Sequence, residues 1–407
     1  TAFGGPSNDG PVSNVSDYDI HQTFLPQFKR CVEAGTLSLM CSYSTINGVP
    51  ACANEYTLTT VLRKQWGFEG YVVSDQQALE KTVGVLKVNY TQGAAIIAKA
   101  GCCLEDGNSQ ENVFAALTDA VNNKFVSESV LDDATSRLFY ARMRLGEFDP
   151  VDMVKYKNLS LDVVDSPAHR SLAVEIAEKT FVLLKNNKNF LPLSTTRYKN
   201  IAVMGPHANN SADMFGDYSP TPNIQITPWE GISSFAKNNS LNILYTSGCS
   251  DIECANFDKA SVTDTAKKSD ISILFMGIST TQEREGRDRT QYSLPGKQME
   301  MIQTAVEAGK PVILVLLGCT PMDITYAKQS DGIYSIVEAF YPAQATGTAL
   351  TNMLFGKVSP AGRLPVTWPI SWDVIPDIGD YTMTNRTYRY YKGPVMYPFG
   401  YGFSYTT

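Results

Sequence analysis

The sequence predicts an α/β protein with two domains. A chain of 407 residues is long for one hydrophobic core, and two domains are the default at this length. Short apolar runs bounded by turn residues alternate with helical patterns, which is typical of parallel strands flanked by helices. The pattern changes near residue 150, so we place one domain at residues 1–150, a linker at 151–165, a second domain at 166–385 and a tail at 386–407.

Two short apolar runs in the first domain predict buried strands. They span residues 37–43 and 70–75, and each is followed by polar loop residues and then a helical pattern. A strong amphipathic helix opens after Ser127, a suitable N-cap, and stops at Gly146, where a C-terminal glycine is expected. This strand–loop–helix repetition predicts parallel strands.

The second domain has the pattern of an open, doubly wound sheet with helices on both faces. A helix is predicted from about residue 167 to 185, with Pro167 in its first turn. Helical patterns also cover residues 295–308 and 347–355. No glycine-rich phosphate loop follows an early strand, which argues against a nucleotide-binding domain. The predicted strands, rich in Ile, Val and Leu, lie at 200–204, 241–245, 271–276, 311–317 and 332–339.

Composition excludes two classes of function. The net charge of −7 argues against a nucleic-acid partner, because such partners bind basic surfaces. No apolar run reaches the length that spans a bilayer, so no membrane span is expected. The chain begins at Thr1 without an initiator Met or a signal peptide, which indicates a processed or incomplete chain.

The eight cysteines include two closely spaced pairs. Cys249 and Cys254 flank a four-residue segment, and Cys41 and Cys52 bracket a turn at Asn47-Gly48. Metal binding is the alternative to two small disulfide loops, but none of the three histidines lies near either pair. We therefore predict two disulfide bonds, with free thiols as the remaining alternative. No metal or organic cofactor is expected for the function proposed below.

Six Asn-X-Ser/Thr sequons suit a secreted glycoprotein. Several would occur by chance in a chain this rich in Asn, Ser and Thr. Together with the predicted disulfides they favour a secretory route, so an extracellular protein is expected. The sequon asparagines are Asn14, Asn89, Asn158, Asn209, Asn238 and Asn385.

The most informative stretch runs from Gly67 to Asp75 and reads Gly-Phe-Glu-Gly-Tyr-Val-Val-Ser-Asp. A hydrophobic strand that ends in Ser-Asp places a carboxylate at the carboxyl end of the strand. In a β/α barrel the active site is built at that edge. An Asp in this place also commonly caps the next helix, and the pattern alone leaves both interpretations open.

This stretch resembles the nucleophile signature of glycoside hydrolase family 3, in which the Asp after Val-Ser attacks the anomeric carbon. Residues 39–43 and 47–54 resemble the β-xylosidase and α-L-arabinofuranosidase branch, which is also related to β-glucosidases. The resemblance implies that Asp75 is the nucleophile and that Tyr43 lines the substrate-binding pocket. Further landmarks follow in the family's order at 205–209 (Gly-Pro-His-Ala-Asn), 294–298 (Leu-Pro-Gly-Lys-Gln), 362–368 (Gly-Arg-Leu-Pro-Val-Thr-Trp) and 397–402 (Tyr-Pro-Phe-Gly-Tyr-Gly).

A charged loop, Glu-Arg-Glu-Gly-Arg-Asp-Arg at residues 283–289, follows the strand predicted at 271–276. Such runs are usually solvated surface. In the family that the chain resembles, a Glu three residues before Asp-Arg is the acid/base, which implies Glu285. Glu283 is the fallback, because members of the branch often carry glutamate at both positions. Hydrolysis with retention needs an ionised nucleophile and a protonated acid that face each other across the sugar.

The resemblance also implies a partial (β/α)₈ barrel of the TIM type, followed by a doubly wound α/β/α sandwich. A complete barrel takes about 250 residues, and the first domain has about 150. In relatives the remaining portion supplies most sugar-binding groups, including an Arg and a Lys-His pair. We expect an N-terminal partner fragment, a cleaved N-terminal chain or further sequence to complete the barrel, because half a barrel exposes strand edges. The tail at 386–407 would lead towards a fibronectin III-like region outside this chain.

Several positions depart from the family pattern. Gln76 stands where the branch usually has a cysteine, and Asp106 stands where that cysteine's partner would be. Cys103 occupies a place where the family commonly has Asp. The family's Gly-Gln-Ala-Gly-Gly turn appears at 343–347 as Ala-Gln-Ala-Thr-Gly. These differences bear on substrate preference and on activity.

The first functional hypothesis is a secreted, exo-acting, retaining glycosidase that hydrolyses terminal β-linked sugars of the xylose or glucose type from oligo- or polysaccharides. Asp75 would form a glycosyl-enzyme intermediate, and Glu285 would act as acid and then as base. The alternative is a catalytically silent relative that serves as a carbohydrate-binding, storage or structural glycoprotein. Either is compatible with a homo-oligomer.

Overall fold

The computed structural model describes residues 12–107, 112–377 and 379–406. The chain divides into two compact units, of which the first comprises residues up to Leu159 together with Pro376–Arg386. The second comprises Ser160–Ile375 and Thr387–Thr407. The division falls inside the segment predicted as a linker. Residues 376–385, which the sequence analysis placed in the second domain, group with the first unit.

The first unit has short strands and six α-helices within its described residues. Its strands are β1 (Val12–Ser13), β2 (Ser38–Cys41), β3 (Thr45–Ile46), β4 (Val49–Pro50) and β5 (Tyr71–Ser74). Its helices are α1 (Asp17–Asp19), α2 (Pro26–Glu33), α3 (Ala78–Leu86), α4 (Tyr90–Ala100), α5 (Leu117–Asn122) and α6 (Glu128–Arg144). Two π-helical segments lie at Ile20–Phe24 and Tyr56–Gln65.

The β2–β5 pair is the part of this unit that positions the candidate nucleophile. The two strands are parallel, and Leu104 extends the sheet by a parallel bridge to Val73. Val72 is fully buried in a core built with the flanking helices. Met40 and Leu104 nevertheless remain 47% and 40% exposed. Parallel sheets are normally covered on both faces, so this small sheet has the character of a partial barrel.

The second unit contains eight strands and seven α-helices within its described residues. The strands are β6 (Val182–Asn186), β7 (Asn200–Met204), β8 (Asn242–Thr246), β9 (Ile271–Gly277), β10 (Val312–Leu317), β11 (Ile333–Phe340), β12 (Trp368–Pro369) and β13 (Val395–Tyr397). The helices are α7 (Pro167–Thr180), α8 (Pro228–Asn238), α9 (Lys259–Lys267), α10 (Gln298–Glu307), α11 (Thr325–Gln329), α12 (Thr346–Leu354) and α13 (Thr387–Tyr390).

Six strands form one sheet in the order β6-β11-β10-β9-β7-β8. All neighbours are parallel except β6 and β11. Residues of α7, α8 and α12 pack in the core on one face, and residues of α9, α10 and α11 pack in the core on the other. The predicted doubly wound sandwich is therefore confirmed, and its five parallel strands begin and end within one residue of the predicted positions.

The helix predicted from about 167 to 185 is wrong in its last part. α7 ends at Thr180, and Phe181 is already extended, with φ −61 and ψ 129. Val182–Asn186 then forms β6, antiparallel to β11. Its first three residues are buried, and a continuous apolar run of this kind suits a buried strand as well as a helix. Pairing with a distant strand decides between the two.

Candidate active site

Asp75 lies immediately after β5, at the carboxyl end of the β2–β5 pair. Its N–H donates to the carbonyl oxygen of Cys41 at 2.9 Å, so strand pairing continues up to this residue. Its Oδ1 accepts a hydrogen bond from the Gln76 N–H at 2.8 Å. The residue is partly exposed. The carboxylate therefore stands at the edge where barrel enzymes build their active sites.

Asp75 does not cap the helix that follows it. The N-cap of α3 is Gln77, which has a left-handed backbone (φ 58) and makes no side-chain capping bond. The Ala78 N–H donates to the carbonyl oxygen of Asp75 at 3.0 Å, which closes a tight turn between strand and helix. A left-handed non-glycine residue is strained, and such strain is concentrated at functional sites.

Tyr43 follows β2 and lies at the same edge. Its Oη donates to the Gln76 carbonyl oxygen at 2.6 Å. The ammonium nitrogen of Lys81 stands 3.8 Å from the centre of the Tyr43 ring, a cation–π arrangement. Lys81 was not among the residues predicted from the sequence, because no local pattern places α3 beside Tyr43. The structure thus brings Asp75, Tyr43 and a cation to one edge.

Asp106 is a second exposed carboxylate at this edge. The Asp106 N–H donates to Ser74 Oγ at 2.9 Å, and the Gln77 N–H donates to the Asp106 carbonyl oxygen at 2.8 Å. These bonds join the segment after Leu104 to the turn after Asp75. From the sequence, Asp106 was predicted only to replace a cysteine of a disulfide bond usual in the family, and not to be part of the site.

The Glu105 carboxylate is occupied by backbone hydrogen bonds from residues 113 and 114. Its carboxylate accepts from the Val113 and Phe114 N–H groups at 2.8 and 2.7 Å. Burial raises the pKa of Glu105, and the charge of Glu80 adds to this effect. An open cavity of about 520 Å³ adjoins it, lined by Cys103, Leu104, Glu105, Asp106, Gly107, Asn112, Phe114 and Ala115.

The guanidinium of Arg63 donates a hydrogen bond to Cys103. The family that the chain resembles commonly has Asp at this position. Arg63 Nη2 lies 3.1 Å from Cys103 Sγ and 2.6 Å from the Gly101 carbonyl oxygen. Its buried Nε has no hydrogen-bond partner among the described residues, and the half-exposed Asp133 carboxylate is 3.8 Å from Nη1. A thiol is a weak acceptor, so Arg63 is paired less strongly here than a carboxylate would pair it.

The candidate acid/base residues follow β9, at the carboxyl edge of the six-stranded sheet. The strand order reverses between β7 and β9, and open α/β sheets bind ligands at such switch points. Arg284 and Arg287 exchange backbone hydrogen bonds of 3.2 and 2.9 Å, and Gly286 (φ 70) supplies the left-handed residue of this turn. Glu285 is exposed at the tip, and its N–H donates to Asp217 Oδ2 at 3.0 Å.

Glu283, by contrast, is buried, with 8% of its surface exposed. Its Oε1 accepts from the Cys319 N–H and from Tyr341 Oη, both at 2.8 Å. Its Oε2 accepts from Thr320 Oγ1. The two glutamates therefore differ in kind, because Glu283 is anchored in the interior and Glu285 is presented at the surface.

Charged and titratable groups surround Glu283. Arg289 Nη1 donates to Thr320 Oγ1 at 2.9 Å, and burial lowers the pKa of Arg289 while the charge of Glu283 opposes that shift. Burial first, and Glu283 second, raise the pKa of the Cys319 thiol to about 12. Complete burial raises the pKa of Glu338 well above its usual value, and the charge of Glu283 adds to this effect.

Three of the sequence landmarks make hydrogen bonds that hold the second unit together. Gln298, the last residue of Leu-Pro-Gly-Lys-Gln, is fully buried. Its Oε1 accepts from the Gly277 N–H, and its Nε2 donates to the Gly277 and Ile252 carbonyl oxygens, all at 2.8 Å. The two C-terminal landmarks pair with each other, since the Leu364 N–H donates to the Tyr401 carbonyl oxygen at 2.9 Å.

Both predicted cysteine pairs, Cys41–Cys52 and Cys249–Cys254, are bonded in the structure. All six sequon asparagines are exposed. Within the described ranges, no group of three or more acidic, His or Cys side chains is placed to hold a metal ion. No helix in the same ranges has the length and apolarity to cross a membrane.

Comparison with known proteins agrees with this two-unit arrangement. The glycosyl hydrolase family 3 C-terminal domain matches residues 181–405, and the N-terminal domain of the same family matches residues 5–141. The chain therefore belongs to glycosyl hydrolase family 3, and the predicted family and fold class are confirmed.

The curated relatives include plant β-xylosidases. The chain is 39% identical to probable beta-D-xylosidase 7 of Arabidopsis thaliana and 36% identical to beta-xylosidase/alpha-L-arabinofuranosidase 1 of Medicago sativa subsp. varia. Each match covers 97% of this chain but 52% of the relative. The chain thus spans about half the length of the curated relatives it matches.

Solved structures show the same proportion. A family 3 exo-beta-xylosidase in complex with a xylobiose aziridine activity-based probe superposes with a TM-score of 0.90 at 30% identity, over 98% of this chain and 53% of that one. The beta-D-glucoside glucohydrolase of Trichoderma reesei superposes with a TM-score of 0.81 at 25% identity, over 98% of this chain and 58% of that one.

Proposed function

We propose that this chain is part of a secreted, exo-acting glycosidase that releases terminal β-linked xylose-type sugars with retention of configuration. The observation that carries the proposal is the placement of Asp75 directly after β5, with its carboxylate outside the helix cap. The names of the relatives support the sugar class. The exposed sequons and the two disulfides support secretion.

The proposed reaction has two steps. Asp75 attacks the anomeric carbon and forms a glycosyl-enzyme bond while Glu285 gives its proton to the departing oxygen. Glu285 then removes a proton from water, which attacks the anomeric carbon and returns the carboxylate of Asp75. Retention requires the two carboxyl groups to stand about 5–5.5 Å apart across the bound sugar.

Glu285 suits the acid/base role better than Glu283. An acid/base must exchange a proton with the leaving group and then with water, so it has to reach the substrate. Both oxygens of Glu283 already accept hydrogen bonds inside the second unit. Glu285 stands exposed at the tip of its turn.

Activity also requires a complete barrel. The exposed side chains of the β2–β5 sheet support further strands beside it. We propose that these strands, with the groups that grip the glycone, come from preceding sequence of the same polypeptide or from a separate N-terminal fragment.

Reconstitution tests the proposal. The chain, alone and together with the barrel segment that precedes the matched region in relatives, is assayed on aryl β-xylosides and β-glucosides. We expect activity in the completed enzyme, with the β-anomer of xylose appearing first by NMR. Asp75→Asn should lower kcat by roughly 10⁴-fold or more, whereas the matched change Asp119→Asn, on the exposed side of α5, should not.

The second candidate is a catalytically silent relative that binds carbohydrate. The weak pairing of Arg63 with Cys103 is the observation that favours it. A completed barrel that binds xylosides without turning them over, with Asp75→Asn unchanged from the parent, would establish this alternative. Expression through a secretory pathway, followed by enzymatic deglycosylation and mass measurement, tests the glycoprotein assignment separately.

A further inference from the structure

The turn that carries Glu285 is held on both sides by the end of a neighbouring strand. On its N-terminal side, the Glu283 carboxylate accepts hydrogen bonds from the Cys319 N–H and from Thr320 Oγ1. Both of these residues follow β10. On its C-terminal side, Arg289 donates to the same Thr320 Oγ1 at 2.9 Å. The residue between them, Glu285, makes no such bond through its side chain within the described residues.

A third strand takes part in this arrangement. Tyr341, which follows β11, donates its hydroxyl to Glu283 Oε1 at 2.8 Å. Glu283 therefore connects the loop after β9 to the ends of the next two strands of the sheet. Bonds to an ionised carboxylate are stronger than neutral ones, and burial shields this group from competing water.

From this geometry we infer that Glu283 and Arg289 are positioning residues, which brace the 284–287 turn through Thr320 and thereby fix the place of Glu285. The inference rests on the proposed function, in which Glu285 is the acid/base. A proton donor must lie within hydrogen-bond reach of the leaving oxygen, and a displacement of about 1 Å can cost on the order of 100-fold in rate.

The kinetic test uses the enzyme with its completed barrel. Glu283→Gln keeps the shape of the side chain but removes its charge, and Glu300→Gln is the matched change at an exposed position of α10. We expect Glu283→Gln to lower kcat for phenyl β-xyloside roughly 10- to 100-fold, with KM nearly unchanged and with little effect on the activated dinitrophenyl substrate. The alkaline limb of the pH profile, which reports the acid, should persist.

Two kinetic results would overturn the inference. If Glu283→Gln loses the alkaline limb and azide restores turnover, Glu283 is itself the acid/base. If Glu283→Gln behaves like Glu300→Gln, the brace has no effect on catalysis. Tyr341→Phe removes one of the three hydrogen-bond donors to Glu283 and should lower kcat by a smaller factor than Glu283→Gln. This variant keeps the inference testable if Glu283→Gln folds poorly.

A readout without glycosidase activity separates the two proposals. Hydrogen exchange of the amides at 284–287 should become roughly tenfold or more faster in Glu283→Gln and stay unchanged in Glu300→Gln. Alkylation of Cys319 by iodoacetamide should also become faster, because burial raises the pKa of that thiol and the Glu283 charge raises it further. If the parent enzyme is active but Glu283→Gln shows unchanged exchange at 284–287, the positioning role of Glu283 is overturned and the proposed function stands. If Glu283→Gln shows faster exchange but the completed parent enzyme has no activity, the proposed function is overturned and Glu283 is a structural residue only.

Discussion

β5 in the first unit and β10 in the second are both parallel strands, but their surroundings differ. Every residue of β10 is buried, because helices cover both faces of its sheet. In β5 only alternate residues are buried, and Met40 and Leu104 on the adjacent segments are exposed to nearly half of their surface. The second unit thus contains a complete core, whereas the first has a sheet that its own described residues cover on one face.

The largest effect expected from this difference is in hydrogen exchange. Amides of β9 and β10 should exchange only when the second unit unfolds, whereas those of β2 and β5 should exchange by local opening. Mass spectrometry of the isolated chain should show protection roughly 100-fold or more greater in β9 and β10. Addition of the completing barrel segment should protect β2 and β5 without affecting β10. Equal protection of the two sheets in the isolated chain would contradict the comparison.

The second prediction tests how strongly the complete core depends on one buried side chain. Gln298→Leu leaves the Gly277 N–H and the Gly277 and Ile252 carbonyl oxygens without their partner. Each unsatisfied buried group costs about 1–3 kcal/mol, so the free energy of unfolding should fall by about 3 kcal/mol or more. Gln303→Leu, a partly exposed position on the same helix, is the control for urea unfolding. Equal costs at the two positions would show that the Gln298 bonds do not support the core.

The third prediction concerns the pH dependence of stability that arises from a buried, poorly hydrogen-bonded side chain of the second unit. His207 is completely buried, neither ring nitrogen has a well-formed hydrogen bond within the described residues, and burial lowers its pKa from 6.5 to about 3. Because the unfolded chain takes up this proton more readily, stability should be lost as the pH falls from 6.5 towards 3, at about 1.4 kcal/mol per unit.

His207→Leu should remove this loss. Between pH 7 and 4.5 the variant should gain about 2.5 kcal/mol relative to the parent protein, as measured by urea unfolding at each pH. His169→Leu, at an exposed position of α7, is the control. A parallel pH dependence in the parent and His207→Leu would mean that the ring is hydrated or partnered in solution.

The smallest expected effect compares one disulfide from each unit. Cys41–Cys52 closes a separation of 11 residues and Cys249–Cys254 one of 5. The loop-entropy relation gives stabilities of about 2.8 and about 2.1 kcal/mol. Paired Cys→Ser variants of the completed enzyme should therefore differ by about 0.7 kcal/mol in unfolding free energy. A larger cost for the shorter loop would indicate that local packing outweighs chain entropy.

Sequence reasoning succeeded where a pattern is local. The parallel strands of the second unit are short apolar runs between turn residues, and each lies within one residue of its predicted place. The Ser-Asp that ends β5 places Asp75 at a strand edge whatever surrounds it. The resemblance to family 3 then supplied the barrel, which local pattern cannot specify.

Predictions from the sequence were wrong or missing where contacts with residues remote in the chain determine the local structure. Val182–Asn186 is apolar enough for helix or strand, and pairing with β11 makes it a strand. The difference between Glu283 and Glu285 depends on donors from Cys319, Thr320 and Tyr341, which are remote in the chain. Lys81 acquires its place only because α3 folds back over Tyr43.

The alternation of Glu283 and Glu285 has a consequence for descendants of such an enzyme. Glu283 is anchored inside the second unit, whereas the role proposed for Glu285 is toward the substrate, so mutation can remove the two functions independently. A descendant that abandons hydrolysis but keeps its fold should drift at the position of Glu285 while retaining the position of Glu283. An inserted residue between them would leave Glu283 bonded to Cys319, Thr320 and Tyr341 but would displace Glu285 along the turn. The length of this loop should therefore vary less than its composition.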